Sequence, residues 1–306
     1  PFADLLERLV FTPARNGRIA LLRNWFATQP DPDRGYGLAA ITGELDFPAA
    51  KPALARDLAR QRTDETLFAL SYDYVGDLAE TVALIWPGQP RGEPPALAEV
   101  VHALRSTPKA RLPALVSGWL DTLDASARLA LLKLITGGLR VGVSGRLAKL
   151  ALAEWSGKPV EAIEEVWHGL SPPYAGLFAW LEDQGPRPDP GALPTFRPLM
   201  LAVPLEESDL AALRAEEFRA EWKWDGIRVQ LVAGPGGQKI FSRGAEDISD
   251  AFPDILGAMQ FHAVLDGELL VLRDDRVAPF AHLQQRLNRK QVGPKMLREY
   301  PAHVRL

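Results

Sequence analysis

The pattern of apolar positions divides the chain into a helical first half and a strand-rich last third. In the first half, apolar residues recur at the spacing of one helix face. Prolines interrupt this pattern at residues 29–32 and 86–95, where they remove backbone donors and disfavour a helical preceding residue. The predicted helices are Phe2–Val10, Ile19–Phe26, Leu54–Arg60, Tyr74–Trp86, Leu97–Leu104, Leu112–Leu123 and Ser126–Ile135. The pattern predicts an all-α N-terminal domain.

Beyond residue 220 the apolar pattern changes to that of β-strands. The predicted strands are Ile227–Val232, Lys239–Phe241 and Ala263–Leu272, and the predicted helices beside them are Asp209–Phe218 and Ile248–Met259. A segment rich in proline and glycine, residues 181–191, has the composition of an exposed, stiff connection. The predicted fold class is therefore α+β with two domains, at residues 1–185 and 196–306, joined by a linker at residues 186–195.

Composition limits the classes of function. The chain has 306 residues, enough for two cores, and its formal charge of −4 does not indicate a nucleic-acid partner, so any basic surface must be local. The lack of cysteine excludes disulfides, a thiolate nucleophile and a zinc–cysteine site, and fits a reducing cytoplasm. The sequence has no run long and apolar enough to span a bilayer, and no basic start of a signal peptide. We expect a monomer in the cytoplasm, associated with the nucleoid if the source is bacterial.

Residues 221–228, Glu-Trp-Lys-Trp-Asp-Gly-Ile-Arg, place one lysine between two carboxylates. In a strand, Lys223 would share one face with Glu221 and Asp225, and the two tryptophans would form the other face. The Asp-Gly pair is predicted to be a tight turn that brings Arg228 back near the lysine. A lysine with acidic neighbours is commonly part of a solvated surface, so this stretch alone does not establish a site.

Two further polar features follow in the strand-rich part. Residues 242–247, Ser-Arg-Gly-Ala-Glu-Asp, place Arg243 at a strand end, although a plain surface arginine would look the same. The strand at 263–272 is apolar except for Asp266 and Glu268, which share a face. Buried carboxylates are costly unless a cation, a metal or a hydrogen-bond donor meets them. The sequence therefore predicts a polar group opposite these two side chains.

A glycine-rich bend separates two predicted helices in the first half, at residues 136–144. One helix ends at the pair Gly137-Gly138, and Ser144 can cap the next helix, which runs to Trp155. Such a bend can present backbone N–H groups and the guanidinium of Arg140 to phosphates. A plain turn between helices is the alternative on these residues alone.

The three strand-region segments, in their order, resemble motifs I, Ia and III of the covalent nucleotidyltransferases, which are DNA ligases, RNA ligases and mRNA capping enzymes. The segment Leu139-Arg140-Val141-Gly142 is similar to the L-R-x-G signature in the helical DNA-binding domain of the larger ATP-dependent DNA ligases. RNA ligases and capping enzymes lack that domain. The sequence thus resembles a larger ATP-dependent DNA ligase, which implies an antiparallel-sheet adenylation domain of the ATP-grasp-like ligase type.

The resemblance implies a role for each matched residue of the second domain. Lys223 would take AMP from ATP as the nucleophile, and Glu221 would contact the adenine amino group. Arg228 and Arg243 would bind the ribose or phosphate of AMP. Glu268 would bind the ribose hydroxyls or help hold Mg²⁺ or Mn²⁺. To attack, the lysine amine must be neutral; nearby cations favour that form and the flanking carboxylates oppose it, so we predict that metal and nucleotide are needed for reactivity.

The resemblance also implies that Gly138, Arg140 and Gly142 contact nicked duplex DNA, whose 5′-phosphate would receive the AMP before a 3′-hydroxyl displaces it in replication, repair or recombination. The family's adenine-stacking aromatic, a further acidic motif, two late lysines and an OB-fold do not occur before Leu306, and Phe280 is better explained by helix packing. We therefore expect a fragment that ends within the adenylation domain and does not complete ligation by itself.

Three alternatives stay open at this point. An RNA-joining or RNA-capping enzyme would keep Lys223, and a non-catalytic DNA-binding module would use that lysine only structurally. NAD could replace ATP as the AMP donor, although the helical domain is found with ATP users. The cations within residues 284–290 have helical spacing, which is typical of a solvated helix face and otherwise of a contact with the DNA backbone.

Overall fold

The computed structural model describes residues 1–88, 90–210, 213–273, 276–287, 289 and 292–306. Contacts group these residues into two compact units. The first comprises Pro1–Val160 and Leu170–Pro188, and the second comprises Glu161–Gly169 and Asp189–Leu306. The predicted domain and linker boundaries at residues 185 and 195 stay a prediction. In the described part of the chain, no helix is long and apolar enough to cross a membrane.

The first unit is built from helices, as the apolar spacing predicted. Its helices are α1 (Phe2–Val10), α2 (Arg15–Thr28), α3 (Asp33–Thr42), α4 (Pro52–Arg62), α5 (Glu65–Val75), α6 (Leu78–Ile85), α7 (Leu97–Ser106), α8 (Leu112–Thr122), α9 (Ala125–Thr136), α10 (Gly145–Ser156) and, after α11 (Val160–Trp167), α12 (Ala175–Leu181). Their apolar faces bury a core that includes Leu22, Phe26, Leu132 and Phe178, none of which is more than 1% exposed. Burial of these faces supplies most of the stability of the helices.

The single helix predicted at Tyr74–Trp86 is wrong, because the structure contains two helices there. α5 ends at Gly76, whose φ of 75° is the left-handed conformation of a helix C-cap. Asp77 then caps α6, and its carboxylate accepts the N–H of Glu80 at 2.9 Å. The apolar spacing continues across this break, so periodicity alone did not reveal it.

The second unit contains an antiparallel sheet. Its strands are β1 (Ile227–Gly234), β2 (Gly237–Ser242), β3 (Ala263–Arg273), β4 (Arg276–Val277) and β5 (Ala302–Arg305). The strand order is β2-β1-β3-β4, and β5 also pairs with β3. In register, Arg228 of β1 lies opposite Glu268 of β3, which in turn lies opposite Arg305 of β5. The hairpin predicted at residues 234–237 joins β1 and β2.

The two faces of this sheet differ in character. One face carries Val229, Leu231, Leu269 and Val271 into an apolar core, and Phe280 of α15 (Phe280–Leu287) packs against that core, as predicted. The opposite face carries the alternate side chains of the same strands, which include Arg228, Gln230, Asp266 and Glu268. The charged groups predicted as a site therefore share the face that does not form the main core.

Neither of the two helices predicted beside the strands is a single continuous helix in the structure. Residues 211–212 of the predicted Asp209–Phe218 helix lie outside the described residues; around them are α13 (Glu207–Leu210) and a 3₁₀ turn at Ala215–Glu217, with residues 213–214 non-helical. The predicted Ile248–Met259 helix consists of a 3₁₀ turn at Ser249–Ala251 and α14 (Pro253–Ala258). Proline at the first position of α14 fixes the start of that helix, because it disfavours helix in the residue before it.

Arg286, one of the cations predicted on a solvated helix face, is fully buried. Its guanidinium donates to the carbonyl of Ala251 at 2.8 Å and to that of Tyr300 at 3.2 Å, and it forms an ion pair with Asp254 at 2.5 Å. It therefore cannot contact DNA. Asn288 and Lys290 of the same predicted run lie outside the described residues.

Candidate active site

Lys223 lies in an exposed, irregular segment and not in the predicted strand. Residues 221–224 have no regular structure, 225–226 form a bend, and β1 begins only at Ile227. The physical reason is that β1 already pairs with β2 on one side and with β3 on the other, so a preceding strand would find no free edge there. Among the described residues, no hydrogen bond or ion pair joins Lys223 to Glu221 or Asp225.

The two tryptophans beside Lys223 do lie together, as the alternation predicted. Their ring centroids are 6.4 Å apart, and Trp222 and Trp224 are 85% and 38% exposed. The indoles form an apolar surface next to the lysine, available to a planar ligand.

Gly226 links the lysine segment to the sheet. A Cβ atom at this position would lie 2.7 Å from Leu270 Cδ2 and 2.9 Å from Glu268 Cγ, and would also clash with the carbonyl oxygen of Leu269. Only glycine allows the bend to lie this close to β3. The backbone N–H of Gly226 donates to the Glu268 carboxylate. This contact brings the end of the Lys223 segment to the carboxylate of Glu268.

The electrostatic surroundings of Glu268 hold its pKa above the usual range. Burial has the largest effect, and the negative charge of Asp266 adds to it. The hydrogen bond from Gly226 and the positive charges of Arg228 and Lys223 act in the opposite direction and only partly offset the burial. The positive charge of Lys223 is among the charges that favour ionisation of Glu268, so the predicted nucleophile and the predicted carboxylate interact electrostatically.

Arg228 is the polar partner that the sequence predicted opposite the β3 carboxylates. Its Nη2 lies 2.5 Å from Asp266 Oδ2, and its Nε lies 3.1 Å from Asp266 Oδ1. Its remaining Nη1 donates to the carbonyl of Met200 at 2.8 Å. The hydrogen bonds to Asp266 raise the pKa of Arg228 despite its partial burial, and Glu268 contributes further. The arginine is therefore held in position on the polar face of the sheet.

Gln230 is a site-positioning residue that the sequence analysis did not identify. It is 3% exposed, and its side-chain amide binds the backbone of Arg197 twice, accepting the N–H at 2.7 Å and donating to the carbonyl at 3.1 Å. Together with the bond from Arg228 to Met200, this fixes residues 196–200, the crossing segment, on the polar face. The signal available in the sequence was a glutamine within the apolar run at residues 227–232.

Arg243 lies in the turn that follows β2. The turn is held by the Ser242 hydroxyl, which accepts the N–H groups of Gly244 and Glu246 at 3.3 Å each. Ser242 pairs with Val229 of β1, so Arg243 leaves the sheet beside the start of β1. Its side chain is exposed, and within the described residues no contact joins it to Lys223.

A divalent metal fits this site only with help from a nucleotide. The described residues contain no group of three or more His, Asp or Glu side chains that could hold a metal ion. Asp266 and Glu268 are the two nearby carboxylates, and Asp266 already pairs with Arg228. Because Mg²⁺ commonly binds one or two carboxylates together with substrate phosphates, Glu268 fits such a role.

In the first unit, Gly138, Arg140 and Gly142 lie in one turn between α9 and α10. Gly137 ends α9 with a φ of 69°, and Ser144 caps α10 by accepting the N–H of Leu147 at 3.2 Å, both as predicted. Arg140 is exposed. The structure brings these three predicted residues together, and their contact with DNA stays a prediction.

Comparison with known proteins shows a similarity to DNA ligases. Residues 199–306, which include every predicted residue of the second unit, match the family model described as ATP dependent DNA ligase domain. A protein named probable DNA ligase, from Koribacter versatilis, is 27% identical over 98% of this chain. The resemblance to ATP-dependent DNA ligases is confirmed. Antiparallel pairing of the sheet is consistent with a ligase adenylation domain.

Other ligases match the chain over different lengths. DNA ligase 1 of Korarchaeum cryptofilum is 28% identical over 99% of this chain, and a DNA ligase of Methanothrix thermoacetophila is 31% identical over 55% of it. The alignments cover 55% of the Koribacter protein and 58% of the Korarchaeum protein, so the chain spans about half the length of these curated relatives. A solved structure titled Pmar-Lig_PreS3 aligns over 99% of this chain and 56% of its own, with 14% identity and a TM-score of 0.33.

Proposed function

We propose that this chain carries the DNA-binding part and the nucleotide-transferring part of an ATP-dependent DNA ligase, which seals nicks in duplex DNA. One observation carries the proposal: the segment that matches the ligase domain contains Lys223, and Gly226, three residues later, packs on Glu268 of β3. The same charge pattern on an ordinary surface would not require a glycine held against a carboxylate strand. The names of the relatives favour DNA over RNA as the nucleic acid joined.

In the first step, the neutral amine of Lys223 attacks the α-phosphorus of ATP. A nitrogen–phosphorus bond forms, the bond to the leaving oxygen breaks, pyrophosphate departs and the amine loses its proton. The exposed indoles of Trp222 and Trp224 offer a surface for the adenine ring, and Glu221 is placed at the start of the same segment. The product is a lysyl-AMP phosphoramide.

Arg228, Arg243 and Glu268 supply the polar contacts for the nucleotide. Arg228 is anchored by Asp266 and so presents a fixed positive charge on the polar face of the sheet, beside the strand end that Arg243 follows. Glu268 would accept a hydrogen bond from a ribose hydroxyl or help to hold Mg²⁺. Bound Mg²⁺ would neutralise charge on the transferring phosphate. Fixed charges of this kind lower the barrier because they need no reorganisation during the reaction.

The later steps need DNA. AMP passes from Lys223 to the 5′-phosphate at a nick, and the adjoining 3′-hydroxyl displaces it. The turn with Gly138, Arg140 and Gly142 provides contacts to the sugar-phosphate backbone, which are independent of base sequence and therefore suit an enzyme that acts at any nick. The monomeric state and the cytoplasmic location stay predictions.

The decisive experiment is the intact mass of the chain after incubation with ATP and Mg²⁺. We expect a gain of one AMP in the unchanged chain and none in Lys223→Ala. Lys295→Ala is the matched control, because Lys295 is an exposed lysine of α16 (Pro294–Glu299) away from the described site contacts, and it should gain AMP like the unchanged chain. AMP that remains covalently attached in Lys223→Ala would contradict the assignment of the nucleophile.

A further inference from the structure

Arg18 of α2 is tied to the glycine turn predicted to bind DNA. Its Nη1 donates to the carbonyl of Gly142 at 3.0 Å. Gly142 has a φ of 70°, and a Cβ atom there would lie 2.6 Å from the Arg18 guanidinium carbon. The guanidinium thus occupies the space that a side chain at position 142 would take, so a larger residue there would have to displace it and would also adopt a positive φ that favours glycine.

Arg18 carries a positive charge that has no ion-pair partner in the described part of the chain. Among the described residues, no carboxylate forms an ion pair with it, and its Nε is buried with no hydrogen-bond partner. The first turn of α2 has no acidic residue and contains Arg15 in addition. Arg140 and Arg146, on the turn and at the start of α10, are both exposed. Arginines from two elements therefore surround the Gly142 turn.

We propose that Arg18 is a further DNA-contacting residue, which fixes the Gly142 turn with one amino group and offers the other to a backbone phosphate of the nicked duplex. A guanidinium has five donors in a planar fork, and the carbonyl of Gly142 takes only one of them. A phosphate oxygen is the acceptor that matches the remaining amino group and the unbalanced charge. This inference rests on the proposed function, since it adds a residue to the same DNA-binding surface.

Salt-dependent binding distinguishes a phosphate contact from a purely structural one. We would measure the affinity of the full chain for a nicked duplex over a series of salt concentrations by fluorescence anisotropy, with the unchanged chain, Arg18→Gln, Arg18→Lys, Arg140→Gln and Arg23→Gln. Arg23 is the matched control, because it lies on α2 but pairs with Glu154 at 3.5 Å. Circular dichroism would establish that each variant folds.

We expect Arg18→Gln to bind about 10-fold more weakly and to lower the slope of log affinity against log salt by about 0.9, the value for one lost phosphate contact. Arg18→Lys should restore the slope, and Arg23→Gln should change neither quantity. Weaker binding of Arg18→Gln with an unchanged slope would overturn the inference and leave the proposed function intact, provided that Arg140→Gln lowers the slope. If the unchanged chain itself showed no salt-dependent binding, both proposals would fall.

Gly142→Ala is a second variant that does not alter charge. The added methyl group must displace the Arg18 guanidinium, so affinity should fall with Arg18 still present. Gly157 also has a positive φ, of 73°, but no atom within 4 Å of an added Cβ, so Gly157→Ala carries the backbone strain without the steric clash. Equal DNA affinities of the two variants would contradict the role assigned to the Arg18–Gly142 contact.

Discussion

At the scale of single residues, Gly226 fixes the distance between the lysine segment and β3. Gly226→Ala would force the bend away from Leu270 and Glu268, and the hydrogen bond from its N–H to Glu268 would be lost. We expect self-adenylation to slow by about 100-fold, because a displacement of about 1 Å at a reacting group has an effect of that size. Mass spectrometry over time would measure the rate.

The control for this prediction is Gly234→Ala, at the end of β1. An added Cβ at Gly234 meets no atom within 4 Å, so this variant should react at the rate of the unchanged chain. A Gly226→Ala rate close to that of Gly234→Ala would show that the close approach is unimportant for the reaction.

We expect the ionised carboxylate of Glu268 to reduce the stability of the folded chain while it supports AMP transfer. Because burial raises its pKa, the ionised carboxylate is less favourable in the folded chain than in the unfolded one. The contribution of Glu268 to stability is therefore greatest at acidic pH, below the ordinary carboxyl pKa. It is lost as the pH rises through the raised pKa of the folded chain. We expect Glu268→Gln to unfold at an equal or higher temperature at neutral pH, and the gain to vanish in acid.

Calorimetry at several pH values, together with the adenylation assay, measures both effects of Glu268→Gln. The variant should lose AMP transfer because the neutral amide does not replace the charge of the carboxylate. A lower unfolding temperature at neutral pH would mean that the Glu268 carboxylate stabilises the fold, which contradicts the argument from burial.

The sequence predicted which types of residue form the candidate site better than it predicted the contacts that those residues make. The lysine, the two arginines and the motif III carboxylate were chosen by type and order, and the structure brings Glu268 near Lys223 and pairs Arg228 with Asp266. Gln230 was missed because its function is a backbone contact with Arg197, more than thirty residues away in the chain. No local pattern encodes a contact of that kind.

At the scale of elements, Arg286 holds α15 to the rest of the second unit. It connects Ala251, Asp254 and Tyr300, and it also stacks on Phe252 at 4.6 Å. Burial would raise the pKa of Asp254, but its hydrogen bonds and charge interaction with Arg286 outweigh this and lower it. The pair therefore stabilises the fold above the ordinary carboxyl pKa, and this stability is lost as pH falls through the lowered value.

We expect Arg286→Met to reduce the free energy of unfolding by about 3 kcal/mol, because it leaves Asp254 partly buried without its cation. Denaturant unfolding would measure the change. Arg289→Met is the control, since Arg289 is exposed and only three residues away. Similar stabilities for the two variants at neutral pH would contradict the structural role of Arg286.

The ends of the helices were predictable from the sequence where a capping residue or a C-terminal glycine marks them. Caps at Asp124 and Ser144 and the left-handed Gly137 fix α9 and α10 near their predicted limits. The prediction of a strand around Lys223 was wrong, because both edges of β1, its predicted partner, are already paired with β2 and β3. Whether an alternating segment joins a sheet depends on pairing between distant strands, which one sequence does not display.

At the scale of the whole molecule, the residues of the proposed chemistry belong to two compact units. The first contains the turn with Arg140 and the Arg18 bonded to it, and the second contains the lysine, the carboxylates and the crossing segment. The helical first half and the strand-rich last third were predictable from the spacing of apolar residues, which is a local property of the chain. The chain spans about half the length of its Koribacter and Korarchaeum relatives.

The pair of exposed indoles beside Lys223 also makes the candidate site visible to spectroscopy. Of the eight tryptophans, all within the described residues, Trp222 and Trp224 are the two most exposed. A soluble quencher would therefore reach these two side chains most readily. Occupation of the site by a nucleotide can then be followed in real time on the unlabelled protein, independently of whether covalent transfer occurs.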